Sequence, residues 1–367
     1  EYVEAYYNIG RILYSLGKYY YAIEAFNAVI SLRVNYINAY NYLAISIQKG
    51  SFLEPKPHLH SSILKLLKLP NLVNPADISK AVISLIKTDP IIKDILLFKE
   101  HSNIDNHIIK IITNLSSQKL LIELMSLTPL IDLEIERLFT YIRSFILFNI
   151  DKIKNIPEIL DIQQALALQC FMNEYIYKEN NSETEALMSL EELINLNISK
   201  GIQPEPFTLL CLSSYRPLYL YDWSNLISMP NEYQKTFKTL INDFFSEKKI
   251  SFKIPILKEI SDDLSCEVRK QYEENPYPKW TNTRLNRLPF TIAEIIKNLN
   301  LKLIDKEINM ITSPDILIAG CGTGKHSIDI ATNYKNSKIL AVDLSLRSLA
   351  YAQRKTQEFN ISNIKYM

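Results

Sequence analysis

The chain has 367 residues and a formal net charge of +1, with 47% hydrophobic and 22% charged residues. This length allows two or three domains, each with its own core, and the composition is that of an ordinary globular protein. The balanced charge gives no electrostatic reason to expect nucleic acid or a membrane as the main partner.

The cysteines and histidines argue against a disulfide framework and a metal centre. The four cysteines are far apart, and no Cys-x-x-Cys pair occurs. Four histidines lack a cysteine or carboxylate at metal-ligand spacing: His58, His60, His101 and His107. We therefore expect no metal, and a reducing, cytoplasmic location.

The ends of the chain and its best candidate for a membrane span carry two further predictions. The chain starts with Glu1 inside a helical pattern and stops at Met367 inside a predicted strand, so we expect both ends to be cut. The best candidate for a membrane span, Phe139 to Ile150, contains Arg143 and is too short. It predicts a buried helix.

The first fifty residues repeat with a period of 34. Four residues (Tyr6, Ile9, Gly10 and Leu13) are matched 34 positions later by Tyr40, Leu43, Ala44 and Ile47. This period resembles that of a tetratricopeptide repeat and predicts helices over Val3–Ser15 and Tyr19–Leu32, with a turn at Gly17. Such units bury their apolar faces by stacking, so we expect further repeats upstream and a protein or peptide partner. The alternative is an ordinary helical hairpin.

Residues 51–250 have apolar residues at helical spacing, separated by prolines. The predicted helices are Ser62–Leu69, Pro75–Lys87, Pro90–Lys99, Asn106–Asn114, Gln118–Ser126, Leu133–Phe148 and Gln163–Tyr177. Asp77 and Asp132 are placed as helix N-caps. This region is predicted to be all-α, and nothing in it suggests chemistry.

A β-α-β-α-β pattern begins near residue 315 and predicts a parallel sheet. Its elements are a central strand Ile316–Ala319, a turn Gly320–Gly324, a helix His326–Asn333, a strand Lys338–Val342, a helix Leu346–Glu358 capped by Ser345, and a strand over Asn363–Met367. A ligand of such a sheet binds beyond the carboxyl ends of the strands.

Three glycines and one carboxylate mark the predicted ligand site. Gly320, Gly322 and Gly324 let the backbone turn tightly and approach a ligand where any Cβ would collide. The N–H groups of the turn and of the following helix face the carboxylate end of the ligand. Asp343 lies 21 residues after Gly322, where a carboxylate can accept both ribose hydroxyls.

The glycine spacing separates two cofactors. A dinucleotide fold needs Gly-x-Gly-x-x-Gly, and this chain has Lys325 or Ser327 at the third position, which disfavours an NAD-dependent oxidoreductase. Gly-Cys-Gly-Thr-Gly resembles the first motif of class I methyltransferases. That motif usually has an acidic residue where this chain has Ala319. A tight turn without a ligand is the structural alternative.

Residues 251–300 connect the two halves. Ser265–Glu274 is predicted to be an amphipathic helix, and the prolines after it predict a rigid, extended segment. Tyr272, Tyr277 and Trp280 have two interpretations. They either close over the cofactor or substrate, or they anchor the linker between domains.

Four stretches together resemble bacterial proteins that fuse tetratricopeptide repeats to a class I S-adenosylmethionine-dependent methyltransferase. They are Leu-Gln-Cys-Phe-Met-Asn-Glu-Tyr (168–175), Tyr-Glu-Glu-Asn-Pro-Tyr-Pro-Lys-Trp (272–280), Ile-Leu-Ile-Ala-Gly-Cys-Gly-Thr-Gly (316–324) and Val-Asp-Leu-Ser-Leu-Arg-Ser-Leu-Ala-Tyr-Ala (342–352). Members of this family also have alanine at the position of Ala319. The resemblance implies the cofactor, S-adenosyl-L-methionine, more than the methyl acceptor.

We therefore predict a multidomain protein, all-α and then α/β. The predicted domains are tetratricopeptide-type repeats (1–50), an all-α domain (51–250), a linker and lid (251–300), and the first part of a Rossmann-like cofactor domain (301–367). The predicted cofactor-binding residues are Gly320, Cys321, Gly322, Thr323, Gly324, Asp343 and Leu344, with Leu344 against the adenine.

The predicted function is methyl transfer from S-adenosylmethionine to an unknown acceptor, which could be a protein recruited by the repeats. The alternative is a repeat scaffold for protein interactions with a vestigial methyltransferase-like domain. No catalytic residue is named, because the general base is expected beyond Met367. This chain alone is therefore expected to be inactive.

Overall fold

The computed structural model describes residues 2–69, 71–97, 105–258, 261, 263–274, 276–286 and 288–367. Contacts divide the chain into two compact units. The helical unit comprises Glu1–Ile241 and Trp280–Asn282, and the sheet unit comprises Asn242–Lys279 and Thr283–Met367. This division does not separate residues 1–50 from 51–241, and it does not separate most of 251–300 from the sheet. The predicted division into four domains therefore stays a prediction.

The helical unit is built from short helices joined by turns. They are α1 (Tyr2–Ser15), α2 (Tyr19–Leu32), α3 (Ile37–Lys49), α4 (Pro57–Lys68), α5 (Pro75–Ile86), α6 (Pro90–Leu96), α7 (Asp105–Ser116), α8 (Lys119–Met125), α9 (Leu133–Phe148), α10 (Ile150–Ile153), α11 (Leu160–Met172), α12 (Asn181–Ser199), α13 (Pro206–Ser213) and α14 (Gln234–Phe237). A π-helical turn covers Lys238–Asn242.

The predicted hairpin of α1 and α2 is confirmed, and Gly10 sets its spacing. A Cβ on Gly10 would lie 2.6 Å from the ring of Phe26, and that ring is buried and stacked on Tyr42 at 5.2 Å. Only glycine therefore allows α1 to lie this close to α2. The identity of the hairpin as a tetratricopeptide repeat stays a prediction.

Helix ends in residues 51–241 follow local hydrogen bonds, and two predictions here were wrong. Asp132 caps α9 as predicted, but α5 has Asn74 at its N-cap, and Asp77 instead accepts a hydrogen bond from the Asn74 amide at 2.6 Å. The predicted helix to Tyr177 ends at Met172, because Glu174 and Tyr175 adopt left-handed φ values of 59° and 58°. The helices α12 and α13 were not predicted.

Arg143 is buried within α9, which confirms that the apolar run around it forms a buried helix. Its guanidinium donates hydrogen bonds to the carbonyl oxygens of Lys178 at 2.7 Å and Tyr177 at 3.3 Å, and it lies 3.9 Å from the ring centre of Tyr215. A buried charge needs such partners. Arg143 therefore ties α9 to segments that follow α11 and α13.

An ion pair in this unit gives a pH-dependent prediction. Arg216 donates to both carboxylate oxygens of Glu179, at 2.7 and 2.8 Å, and this bidentate bond lowers the pKa of Glu179. A lowered pKa stabilises the fold above the ordinary pKa of glutamate, and this contribution is lost as pH falls through the lowered value. We expect Arg216→Gln to cost about 1–2 kcal/mol at pH 7 and much less at pH 3.

Urea unfolding of the wild type and the Arg216→Gln variant at pH 7, 5 and 3 measures this difference. Arg137→Gln is the matched control, because Arg137 is exposed on α9. The control should leave the free energy of unfolding nearly unchanged at each pH. A loss for Arg216→Gln that is the same at pH 3 as at pH 7 would contradict the role of the ionised Glu179.

The sheet unit is a parallel sheet with helices around it. Its strands are β1 (Asp315–Ala319), β2 (Lys338–Val342) and β3 (Ile364–Tyr366), and its helices are α15 (Asp243–Ser251), α16 (Asp263–Glu274), α17 (Ile292–Asn298), α18 (Lys325–Asn333) and α19 (Leu346–Glu358). The strand order is β1-β2-β3, with Asp315 opposite Lys338 and Ile339 opposite Ile364. The predicted parallel β-α-β-α-β order is confirmed.

The position of β1 differs from the prediction of a central strand. In the described sheet β1 pairs with β2 only, and β2 is the middle strand. Leu317 of β1 is 65% exposed, whereas Ala341 of β2 is fully buried in the core of the unit. The apolar composition of β1 is therefore that of a buried strand, although β1 forms an edge here.

The sheet unit begins before the predicted boundary at residue 250, because α15 packs on α19. Arg354 of α19 is almost buried, and its guanidinium bonds Glu247 at 2.8 Å and Asp243 at 3.3 Å on α15. It also bonds Glu358, four residues along its own helix, at 2.5 Å. Three carboxylates around one guanidinium hold α15 against α19.

The described residues contain neither a membrane-spanning helix nor a cluster of metal ligands. No helix in this part of the chain is long and apolar enough to cross a membrane. No group of three or more His, Cys, Asp or Glu side chains there is arranged to hold a metal ion. His101 and the side chain of His107 lie outside the described residues.

Candidate functional site

A cavity of about 1390 Å³ opens at the carboxyl ends of β1 and β2 in the sheet unit. Six of the seven predicted cofactor-binding residues line it: Gly320, Cys321, Gly322, Thr323, Asp343 and Leu344. The seventh, Gly324, is not among the described lining residues. This position matches the place where ligands bind in parallel α/β sheets.

The turn between β1 and α18 needs its three glycines, because each has a left-handed φ. The values are 69° for Gly320, 52° for Gly322 and 81° for Gly324. The N–H groups of Gly320 and Cys321 both donate to the carbonyl of Val342, at 2.8 and 3.0 Å. The turn is therefore tied to the end of β2.

Gly324 has a different role from the other two glycines. A Cβ on Gly324 would lie 2.4 Å from the Cβ of Ala352 on α19, whereas a Cβ on Gly320 or Gly322 would have no described heavy atom within 4 Å. The Cβ position of Gly324 therefore faces α19, and the predicted approach of Gly324 to a ligand stays a prediction. Gly324 allows α18 to pack closely on α19, while Gly320 and Gly322 leave space open.

Asp343 points at the glycine turn. One carboxylate oxygen accepts the N–H of Gly322 at 2.8 Å, and the other accepts the N–H of Ser345 at 3.0 Å. These two bonds fix the carboxylate at the end of β2, and each oxygen keeps a further lone pair. Asp343 can therefore accept two hydrogen bonds from a ligand without leaving the turn.

Cys321 and Thr323 support the turn from within. Burial and the nearby Asp343 carboxylate raise the pKa of the Cys321 thiol to about 12, so this thiol is neutral near pH 7 and is a poor nucleophile. The Thr323 hydroxyl donates to the carbonyl of Pro278 at 2.8 Å. This bond joins the turn to the proline segment.

Two of the three aromatic residues predicted as a possible lid line the cavity. Tyr272 and Tyr277 line the cavity, and both are more than 40% exposed. Trp280 is 6% exposed and groups with the helical unit. It is not among the described residues that line the cavity. The placement of Trp280 favours the anchor interpretation for this residue, whereas the two tyrosines are placed to contact a ligand.

A pair of reciprocal helix caps holds the end of α16 that carries Tyr272, and no sequence pattern predicted it. Glu273 of α16 accepts the N–H of Leu346 at the start of α19. In return Arg347 donates to the carbonyls of Glu273 and Glu274 at the end of α16, both at 2.7 Å. We call this pair the Glu273–Arg347 clasp. Each side chain satisfies terminal groups of the other helix.

We expect Arg347→Gln to loosen α16, because charged hydrogen bonds of this kind contribute about 1.5–3 kcal/mol each. Amide exchange in residues 263–274 should become about tenfold faster or more. Hydrogen exchange with mass spectrometry measures this rate. The control is Arg284→Gln, since Arg284 is exposed in the same unit. Equal exchange rates in the two variants would show that the clasp does not hold the helix.

Comparison with known proteins adds one finding at this site. The profile of a family described as a methyltransferase domain matches residues 316–367. The chain ends in a methyltransferase domain. The match covers β1, the glycine turn, β2, Asp343 and β3. No curated protein matches the chain.

The sheet unit also brings side chains to the cavity that sequence reasoning missed. They come from the segment before α16, from α16 itself and from the first two turns of α18, and include Lys258, Arg269, Lys325, His326 and Asp329. They carry no motif of their own. Only the meeting of three separate stretches of chain at one cavity makes them a group.

Proposed function

We propose that the methyltransferase domain binds S-adenosyl-L-methionine and that the protein transfers the methyl group of this cofactor to an acceptor. One observation carries the proposal. The Asp343 carboxylate is held by the N–H groups of Gly322 and Ser345 beside two turn positions where a Cβ would enter open space. A ribose diol and a closely approaching ligand backbone both fit this arrangement.

The residues present supply contacts for each part of the cofactor. Asp343 would accept the two ribose hydroxyls, Leu344 would pack on the adenine, and Gly320 and Gly322 would leave room for the chain that joins them. The N-terminus of α18 would face the carboxylate. The side chain of Ala319 offers no acceptor for the ammonium group, and Asp329 is the second carboxylate of the described lining, so we assign this contact to Asp329.

When bound, the cofactor supplies a methyl group on a positively charged sulfur. The protein must then align the acceptor in line with the sulfur and exclude water. Tyr272 and Tyr277, which line the cavity, would cover its mouth, and the Glu273–Arg347 clasp would keep Tyr272 in position. We name no catalytic residue.

Isothermal titration of the full-length protein with S-adenosylmethionine tests the proposal, and NAD is the competing ligand. We expect heat with S-adenosylmethionine and none with NAD. Heat with NAD alone would overturn the proposal in favour of an oxidoreductase, and heat with neither would favour a turn without a ligand.

The partner of the first helices is a separate proposal. If α1 to α3 belong to a tetratricopeptide array, they would bind a protein or peptide and could bring a protein acceptor to the enzyme. The exposed apolar side chains on α1, among them Tyr6 and Ile9, support this idea. A cytoplasmic location is likewise a proposal.

A further inference from the structure

The cavity has a cationic side that the proposed cofactor contacts do not use. Lys258 precedes α16, Arg269 lies on α16, and Lys325 begins α18, and all three line the same cavity. None of the three forms an ion pair with a carboxylate of the described residues. Elsewhere in this unit, Arg354 is surrounded by three carboxylates.

The acidic groups of the cavity are already engaged. Both oxygens of Asp343 accept backbone N–H groups, and Asp329 accepts the hydroxyl of Thr283 at 3.3 Å. The proposed cofactor contacts use these two carboxylates again. Among the described lining residues, the three cations therefore outnumber the two acids.

The cofactor makes this imbalance larger. S-adenosylmethionine carries one carboxylate against a sulfonium and an ammonium, so its net charge is positive. Its carboxylate can neutralise one lysine or arginine, and Lys325 beside the glycine turn is placed for that contact. Lys258 and Arg269 then face a positively charged cofactor, and like charges in a recessed site repel.

Apolar and aromatic side chains line the cavity together with Lys258 and Arg269, as do Ser261 and Ser265. Ile256 and Leu257 precede Lys258, Val268 precedes Arg269, and Tyr272 lies one helical turn further along α16; all line the cavity. A guanidinium binds a carboxylate or a phosphate with two parallel hydrogen bonds. This side therefore fits an anionic group attached to an apolar body.

We propose that the methyl acceptor is a small organic anion, with a carboxylate or phosphate bound by Arg269 and Lys258 and an apolar body against α16. This inference rests on the proposed function. In the transfer, a lone pair of the acceptor bonds the methyl carbon as the carbon–sulfur bond breaks. The electron pair stays on sulfur, and a proton carried by the attacking atom is released to water.

The test uses the full-length protein saturated with S-adenosylhomocysteine, the demethylated product. Phenyl phosphate, benzoate and neutral benzyl alcohol are titrated in turn. We expect at least one anion to bind about tenfold more tightly than benzyl alcohol, and the tighter anion identifies the anionic group. Arg269→Gln should lower the affinity for that anion about tenfold or more, because one charged contact is lost. Arg284→Gln should leave this affinity unchanged.

Three results would overturn the inference. The first is equal affinity for the anions and the alcohol, and the second is an equal effect of the two arginine variants on anion affinity. The third is loss of S-adenosylmethionine binding in Arg269→Gln, because this result would assign Arg269 to the cofactor. The cofactor titration keeps the two proposals apart. If S-adenosylmethionine binds normally and no anion does, only the acceptor assignment fails; if S-adenosylmethionine does not bind the wild type, the proposed function fails.

Discussion

Gly324→Ala is expected to destabilise the sheet unit by about 2–5 kcal/mol. Alanine at a φ of 81° is strained, and its Cβ would lie 2.4 Å from the Cβ and 3.0 Å from the Cα of Ala352. The Cα belongs to the backbone of α19 and cannot rotate away, so α18 and α19 must separate. Amide exchange in β1 and β2 should rise by more than tenfold, which hydrogen exchange with mass spectrometry measures.

Gly322→Ala is the matched control for that variant. Its φ of 52° is also left-handed, but a Cβ there would meet no described heavy atom within 4 Å. We expect this variant to lose only about 1 kcal/mol of stability. Similar exchange rates in the two variants would show that backbone strain, and not contact with Ala352, requires Gly324.

Asp343→Ala is expected to weaken S-adenosylmethionine binding about 100-fold. The two hydrogen bonds of a carboxylate to the ribose contribute about 3 kcal/mol together, and every 1.4 kcal/mol changes affinity tenfold. Loss of the bonds to Gly322 and Ser345 also loosens the turn. Isothermal titration measures the affinity, and circular dichroism checks that the sheet unit stays folded.

Asp315→Ala is the control for Asp343→Ala. Asp315 is exposed at the amino end of β1, opposite Lys338 in the register, and it does not line the cavity among the described residues. Its substitution should leave cofactor affinity within about twofold, as for a surface position. Near-normal affinity in a folded Asp343→Ala variant would remove the observation that carries the proposed function.

These variants separate two roles of one short turn. Gly322→Ala and Asp343→Ala should leave the sheet largely intact and weaken the binding of the ligand, because both residues line the cavity. Gly324→Ala should disrupt packing before any ligand is considered. A turn that needed glycine only for its own backbone would not show this division.

The local pattern of apolar and capping residues in the sequence was enough to predict most helices and strands. The bounds of β2 and α19 match the predicted Lys338–Val342 and Leu346–Glu358, because a short run of apolar residues, a Ser345 cap and helical spacing of apolar positions are all short-range signals. The helix bounds that failed, as at Glu174 and Tyr175, depend on a left-handed pair that no periodicity predicts.

The amino-acid order also determined that a glycine turn and Asp343 follow successive strands of one parallel sheet. That is why their meeting at one edge could be predicted. Only the tertiary structure decided what each residue touches. Gly324 meets Ala352, Trp280 joins the helical unit, and the Glu273–Arg347 clasp holds α16. These contacts join residues distant in the chain, and the packing of side chains that selects them leaves no periodic trace in the sequence.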